Sequence, residues 1–202
     1  MSVISSITNQ LLIAMPSLNE DPCFSRAVIY VCEQHEQGSV GLIINRPMYD
    51  VSLSIVFQQL QIEPIRAEQN QLPLLYGGPV QPERGFVIHK SLGNWRSSLF
   101  LQNGVTVTTS NDIIRAIADN PGIKKDPEQE ALILSPQDFL VTLGYTGWTE
   151  HQLEREVMEN VWLVCPFKPE ILYEVPFEER WNYAGSLLGV KMNQLSSSAG
   201  HA

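Results

Sequence analysis

Cys32, Glu33, His35 and Glu36 bring four potential metal donors into one short stretch. On a strand, however, neighbouring side chains point to opposite faces, and no second His or Cys stands at a ligand spacing. A structural cysteine and a hairpin-loop histidine are the simpler reading, and no metal is expected. Gly77-Gly78-Pro79 could turn backbone N–H groups toward an anion. It lacks the lysine and the Gly-x-x-x-x-Gly-Lys spacing of a phosphate loop, and a tight turn needing positive φ accounts for both glycines. A cysteine nucleophile needs a base in reach, and spacing along the chain does not bring His35, His89 or His151 to a cysteine. No Gly-x-Ser-x-Gly elbow is present. His89 falls in an alternating strand as a half-buried sheet residue. His151 opens a capped helix, where a charged imidazole would oppose the dipole, so it is expected neutral and exposed. Arg46 ends a buried strand, is locked by Pro47, and stands in a chain with few cations. It binds an anionic ligand or pairs with an internal carboxylate; the internal pair is the expectation.

The stretch from Arg26 to Pro47 positions most of these groups. Two apolar, β-branched runs flank Gln34–Gly38, which signals a hairpin with a loop longer than two residues. Ala27 to Cys32 has little polar alternation, so both faces meet protein. Gly41 marks a bulge or a close backbone approach. Before this hairpin, Met1 to Asn9 is polar and expected loose on the surface, Leu11 to Met15 reads as a strand, and Ser17 to Ser25 as a loop. After it, Ser52 caps a helix whose Leu53, Val56, Phe57 and Leu60 form one stripe. Leu72 to Tyr76 and Gly85 to Lys90 read as strands. Leu99–Gln102 and Val105–Thr108 form a hairpin around a two-residue Asn103-Gly104 turn.

A helix follows from Ser110 or Asn111, with Ile113, Ile114, Ile117 and Ala118 on one side, stopped by Asn120-Pro121-Gly122. Lys124 to Glu130 is charged and exposed; Ala131 to Leu134 and Phe139 to Tyr145 read as strands. Thr149 and Gln152 make a capping box for a helix facing inward through Leu153, Val157 and Val161. Val161 to Cys165 and Ile171 to Val175 read as further strands. Pro176 opens a last helix with Phe177, Trp181, Ala184 and Leu188 on one face. Residues 1–195 form one domain, and Ser196 to Ala202 is expected disordered. Strands outnumber helices and their connections are too short for crossovers, which makes the fold α+β: a mainly antiparallel sheet with helices packed outside it.

Composition narrows the function. Hydrophobic residues make up 44% and charged residues 17%, below the usual ~25%, which provides for a sizeable core. Twenty-two acidic side chains against 13 basic give a net charge of -9. That field repels phosphate backbones and anionic lipid, and Lys124-Lys125 is the only adjacent basic pair. Direct nucleic-acid binding and a membrane partner are therefore not expected. Three cysteines without a C-x-x-C pair fit a reduced compartment. No signal peptide is read at the N-terminus, and apolar runs fall short of the ~20 residues of a membrane helix. A cytoplasmic location is the expectation.

Several segments, in order, resemble the bacterial YqgE/AlgH family. They are Asp21-Pro22-x-Phe24-x-Arg26-x-Val28-Ile29-Tyr30-x-Cys32-Glu33, Gly41 to Pro47, Gly77-Gly78-Pro79-Val80 and Arg84-Gly85-Phe86-Val87-Ile88-His89. Leu143-Gly144-Tyr145-x-Gly147-Trp148, Gln152-Leu153-Glu154, Asn160-x-Trp162-Leu163 and Glu178-Glu179-Arg180-Trp181 continue it, so the likeness runs from Leu11 to Val190. It implies a single cytoplasmic domain with a branched, partly barrel-like sheet and flanking helices. No catalytic activity is established for the family, and a role in transcriptional regulation of alginate synthesis is attached to its name. The family's histidine directly after Cys-Glu is replaced here by Gln34, with His35 following, and Asp126 to Pro136 departs from the usual pattern.

The sequence thus points to a non-enzymatic regulatory or interaction domain with an unknown protein or small-ligand partner, no cofactor and no direct reading of DNA. The rival is a small-anion binder or enzyme with a polar site built from Asn45, Arg46, Gly77, Gly78 and His89.

Overall fold

Val28 to Cys32 is at most 4% exposed at every position. In the computed structural model, which describes residues 6–91, 93–121 and 135–195, this run is the centre of a strongly curled sheet. The strands are β1 (Gln10–Ala14), β2 (Val28–His35), β3 (Gly38–Ile43), β4 (Pro47–Ser52), β5 (Pro73–Tyr76), β6 (Val80–Lys90), β7 (Ser98–Phe100), β8 (Val105–Thr108), β9 (Phe139–Thr149) and β10 (Trp162–Pro166). Five helices pack on them: α1 (Leu53–Gln59), α2 (Asn111–Ala118), α3 (Gln152–Met158), α4 (Glu170–Tyr173) and α5 (Arg180–Ser186). The order β10-β1-β2-β3-β9-β6-β8-β7 makes a half-barrel. One edge of β9 is shared: its end pairs β3 at Thr146–Thr149, and its start pairs β5 in parallel at Val141–Leu143. There the sheet branches into a β4–β5 arm. The fold is α+β, a single domain with an antiparallel half-barrel.

Alternation along the strands sorts the apolar residues into three cores. Leu11, Ile13, Val28, Tyr30, Leu42, Phe86 and Ile88 face the barrel interior, which α4 and α5 close with Ile171, Leu172, Trp181 and Ala184. Leu12, Ile29, Val31 and Ile43 face outward under α3. Val87, Val141 and Leu74 face the other outer side under α1 and α2. Asn9, just before β1, reaches the turn between β7 and β8: its side-chain oxygen accepts from the Tyr30 hydroxyl and the Gln102 backbone N–H, each at 3.1 Å.

Gly41 is the close approach expected of it. A Cβ there would stand 2.5 Å from Ile29 Cγ2 and 3.2 Å from the Tyr30 carbonyl. The β2–β3 register shifts beside it, leaving Cys32 as the extra residue of a bulge.

Four sequence expectations need correction. The β2–β3 loop is only Glu36-Gln37, because His35 and Gly38 pair directly. The second hairpin turns through Gln102-Asn103-Gly104, closed by Leu101 N–H on the Val105 carbonyl. Asn103 (φ 58°) and Gly104 (φ 70°) are left-handed there, as Asn-Gly permits. Residues Ile7 and Asn9 are not loose: Ile7 is 1% exposed, its amide donates to Gln34 at 2.6 Å, and Asn9 N–H bonds Val31. Ile171 to Val175 is not a strand but the short helix α4 and its exit. Pro169 and Glu170 start it, and burying Ile171 and Leu172 side by side in the interior outweighs their β preference. The stretches Lys124–Glu130, Ala131–Leu134 and Ser196–Ala202 lie outside the described residues.

Candidate functional site

Asn45, Arg46, Gly77 and Gly78 gather where β3 leaves the sheet, and each is engaged by protein. The Asn45 amide accepts from Val28 N–H at 2.8 Å and donates to the Arg26 carbonyl at 2.9 Å, standing in for one more rung of the β2–β3 ladder. Arg46 is half-buried and donates to the Pro22 and Ser25 carbonyls, each at 2.7 Å. Its expected carboxylate partner is replaced by these two carbonyls, because the loop before β2 folds over it. Gly77 N–H donates to Leu143 at 2.7 Å, and its carbonyl receives Ile43 N–H. A Cβ on Gly77 would lie 2.3 Å from the Gly144 oxygen; one on Gly78 (φ +151°) would lie 2.2 Å from the Tyr145 carbonyl carbon. These glycines let two backbones touch.

His89 is elsewhere, 1% exposed, on the β6 face that also carries Val87. Nδ1 lies 2.6 Å from the Lys90 carbonyl, which can only accept, so Nδ1 carries the proton. Nε2 therefore accepts from Thr108 Oγ1 at 2.9 Å, and Thr108 accepts from Ser98 Oγ at 2.8 Å. Burial pushes the imidazole pKa below its ordinary value, partly opposed by the Lys90 carbonyl. His89 is a neutral core histidine and does not join the other four.

The Ser98 end of this chain opens into a cleft of about 360 Å³ at one mouth of the half-barrel. Its floor is Leu42, Phe86, Leu99, Val107 and Cys32; its rim is Glu33, Arg84, Ser97, Ser98 and Thr109. Arg84 is exposed, lies 5.2 Å over the Phe86 ring and, among the described residues, hydrogen-bonds only to Gln81 Oε1, at 3.4 Å. Among the described residues, the one ionic contact of Glu33 is with His35, at 4.0 Å. Arg84, Phe86 and Thr109 also line a neighbouring cleft of about 150 Å³ over the start of α2. Burial, with Glu33 adding to it, pushes the Cys32 thiol far up, so it is no nucleophile at neutral pH.

Cys32 and Glu33, considered for a metal, thus serve the cleft instead. His35 and His151 border an open surface hollow with Glu36 and Glu154. Among the described residues, no three His, Cys, Asp or Glu groups converge as a metal ion requires.

Sequence reasoning missed Arg84, Ser97, Ser98 and Thr109 because they become neighbours only when β6 to β8 curl toward β2. The legible clue was the hairpin they flank.

Comparison with known proteins agrees with this architecture. The profile of the AlgH-like family matches residues 11–193. A UPF0301 protein of Legionella pneumophila (strain Lens) is 70% identical over the full length of both chains. One from Ralstonia nicotianae is 46% identical, over 98% of this chain and 96% of its own. The solution structure of the AlgH protein from Pseudomonas aeruginosa superposes with a TM-score of 0.72 at 39% identity, covering 100% of this chain and 99% of that one. A crystal structure from Corynebacterium diphtheriae shares the fold alone, at 20% identity and a TM-score of 0.61 over 91% of this chain and 87% of its own. By its sequence over nearly its whole length, and by its branched half-barrel, the chain belongs to the AlgH-like family.

Proposed function

We propose that this chain is a non-enzymatic regulatory domain of the cytoplasm that works by binding a small molecule in the mouth cleft. One observation carries the reading: the cleft joins an apolar floor to a sparse rim of one guanidinium, one carboxylate and three hydroxyls. That is the composition of a recognition pocket. Its thiol is held protonated, and its rim holds no nucleophile–base pair, which favours binding over covalent chemistry. The regulatory part of the reading comes from the family resemblance. A net charge of -9 argues that regulation passes through a partner rather than through direct contact with DNA.

The test is native mass spectrometry of protein purified from cells, beside a Ser97→Trp variant that fills the cleft from its exposed rim. A small-molecule adduct on the parent, absent from the variant, is expected. Parent and variant carrying the same adduct, or neither carrying one, would overturn the cleft as the binding site. In parallel, fluorescence anisotropy with duplex DNA at physiological salt should show no specific complex. Sequence-specific affinity tighter than ~10⁻⁸ M would contradict regulation without DNA contact.

A further inference from the structure

Arg84 and Glu33 border the same cleft, yet they form no ion pair with each other. Two opposite charges held apart over one apolar floor are complementary to a ligand that carries both. We infer that the cleft binds a free α-amino acid with an apolar side chain, its carboxylate on Arg84 and its ammonium group on Glu33. This rests on the reading of the cleft as the binding site.

Each part of the ligand has its counterpart. The exposed Arg84 guanidinium, 5.2 Å over the Phe86 ring, offers N–H donors to a carboxylate. The Ser97 and Thr109 hydroxyls bond to no other described residue and supply further donors on the same rim. Leu42, Leu99 and Val107 receive the side chain. A volume of about 360 Å³ sits at the small end of ligand pockets, which suits one amino acid better than a nucleotide. A ligand with anionic charge alone would meet Glu33, and Glu83 in the adjoining cleft, uncompensated. A cation alone would meet Arg84. A protein chain end carries only one of the two charges, whereas a free amino acid carries both.

Three probes separate the possibilities by amide chemical-shift titration: L-phenylalanine, N-acetyl-L-phenylalanine and phenethylamine. L-Phenylalanine should shift the amides of Glu33, Ser98 and Val107. Each single-charge analogue should bind about tenfold or more weakly, the loss of one charge-assisted contact. Arg84→Gln and Glu33→Gln should each weaken L-phenylalanine by about tenfold or more. Both side chains lie at the surface, so spectra away from the cleft should stay unchanged and show the variants folded. Glu33→Gln should not weaken N-acetyl-L-phenylalanine. If that analogue binds the parent as tightly as L-phenylalanine, the site takes monoanions and the zwitterion inference is overturned, while the binding cleft stands. If none of the three shifts a cleft amide, the inference is overturned and the cleft is judged on its retained adduct alone.

Discussion

Two arginines on carbonyl oxygens brace the junction where β3 ends, and they are unequally important. Arg180 is 3% exposed and donates to Val175 at 3.0 Å, to Leu172 at 2.7 Å and to the Ile44 carbonyl, with Phe177 stacked 4.4 Å away. Burial lowers its pKa to about 10, partly opposed by Glu178, so it stays charged at neutral pH. Replacing it by alanine leaves three carbonyls without a donor and should cost ~3–5 kcal/mol. Arg46→Ala removes one exposed and one half-buried bond and should cost ~1–2 kcal/mol. Urea midpoints at unchanged slope measure both, and equal losses would refute the ranking. His89 sets a pH dependence. Its folded pKa lies below 6.5, so below that value the unfolded chain binds the proton more readily than the folded one. Its stabilising contribution is complete above pH 6.5 and drains away as pH falls through that value toward the folded pKa. The urea midpoint of the parent should therefore fall more steeply from pH 7 to 5 than that of His89→Gln; parallel curves would remove His89 as the cause.

At the level of elements, the β5–β9 contact depends on glycine. Gly78→Ala forces a Cβ into the Tyr145 carbonyl at an unfavourable φ and should cost more than ~2 kcal/mol. Gly85→Ala, with open space around it, should stay within ~0.5 kcal/mol. Thermal midpoints of the pair test this, and a tolerated Gly78→Ala would show that the strands can separate there. Local patterns made much of this legible. The unbroken apolar run gave β2, the stripe Leu53–Phe57 gave α1, and Ile113–Ala118 gave α2. The capping box is only half made: Gln152 returns to Thr149 N–H at 3.0 Å, but α3 starts at Gln152 from a left-handed His151 (φ 56°) and has no side-chain cap. What failed were segments decided by partners far along the chain. Ile171-Leu172-Tyr173 has strand propensity and becomes a helix because it plugs a barrel made of other strands. Arg46 looked like half of an ion pair because sequence shows side-chain charge and hides the carbonyls of a loop 20 or so residues earlier. The cleft was invisible for the same reason, since Glu33 and Arg84 come to border one cleft only through curvature.

Across the whole molecule, three cores share the same strands, so none can melt alone. The four tryptophans sample them all: Trp181 in the interior, Trp148 and Trp162 under α3, and Trp95 against the third. Urea unfolding followed by tryptophan fluorescence and by far-ultraviolet circular dichroism should therefore give coincident curves. Separate transitions would mean that the β4–β5 arm or the α3 layer unfolds independently. Among the described residues, the half-barrel also leaves its sheet unclosed, with β7 and β10 as its margins. The first is three residues long, and the second is five and finishes at Pro166. The margin of β4 begins at Pro47, and proline has no N–H to offer an added strand. A fibril grows by stacking chains on a long, flat, unpaired margin. Each of these described margins is brief, and two are marked by proline, so a protein that keeps one mouth open to solvent gives amyloid little to build on.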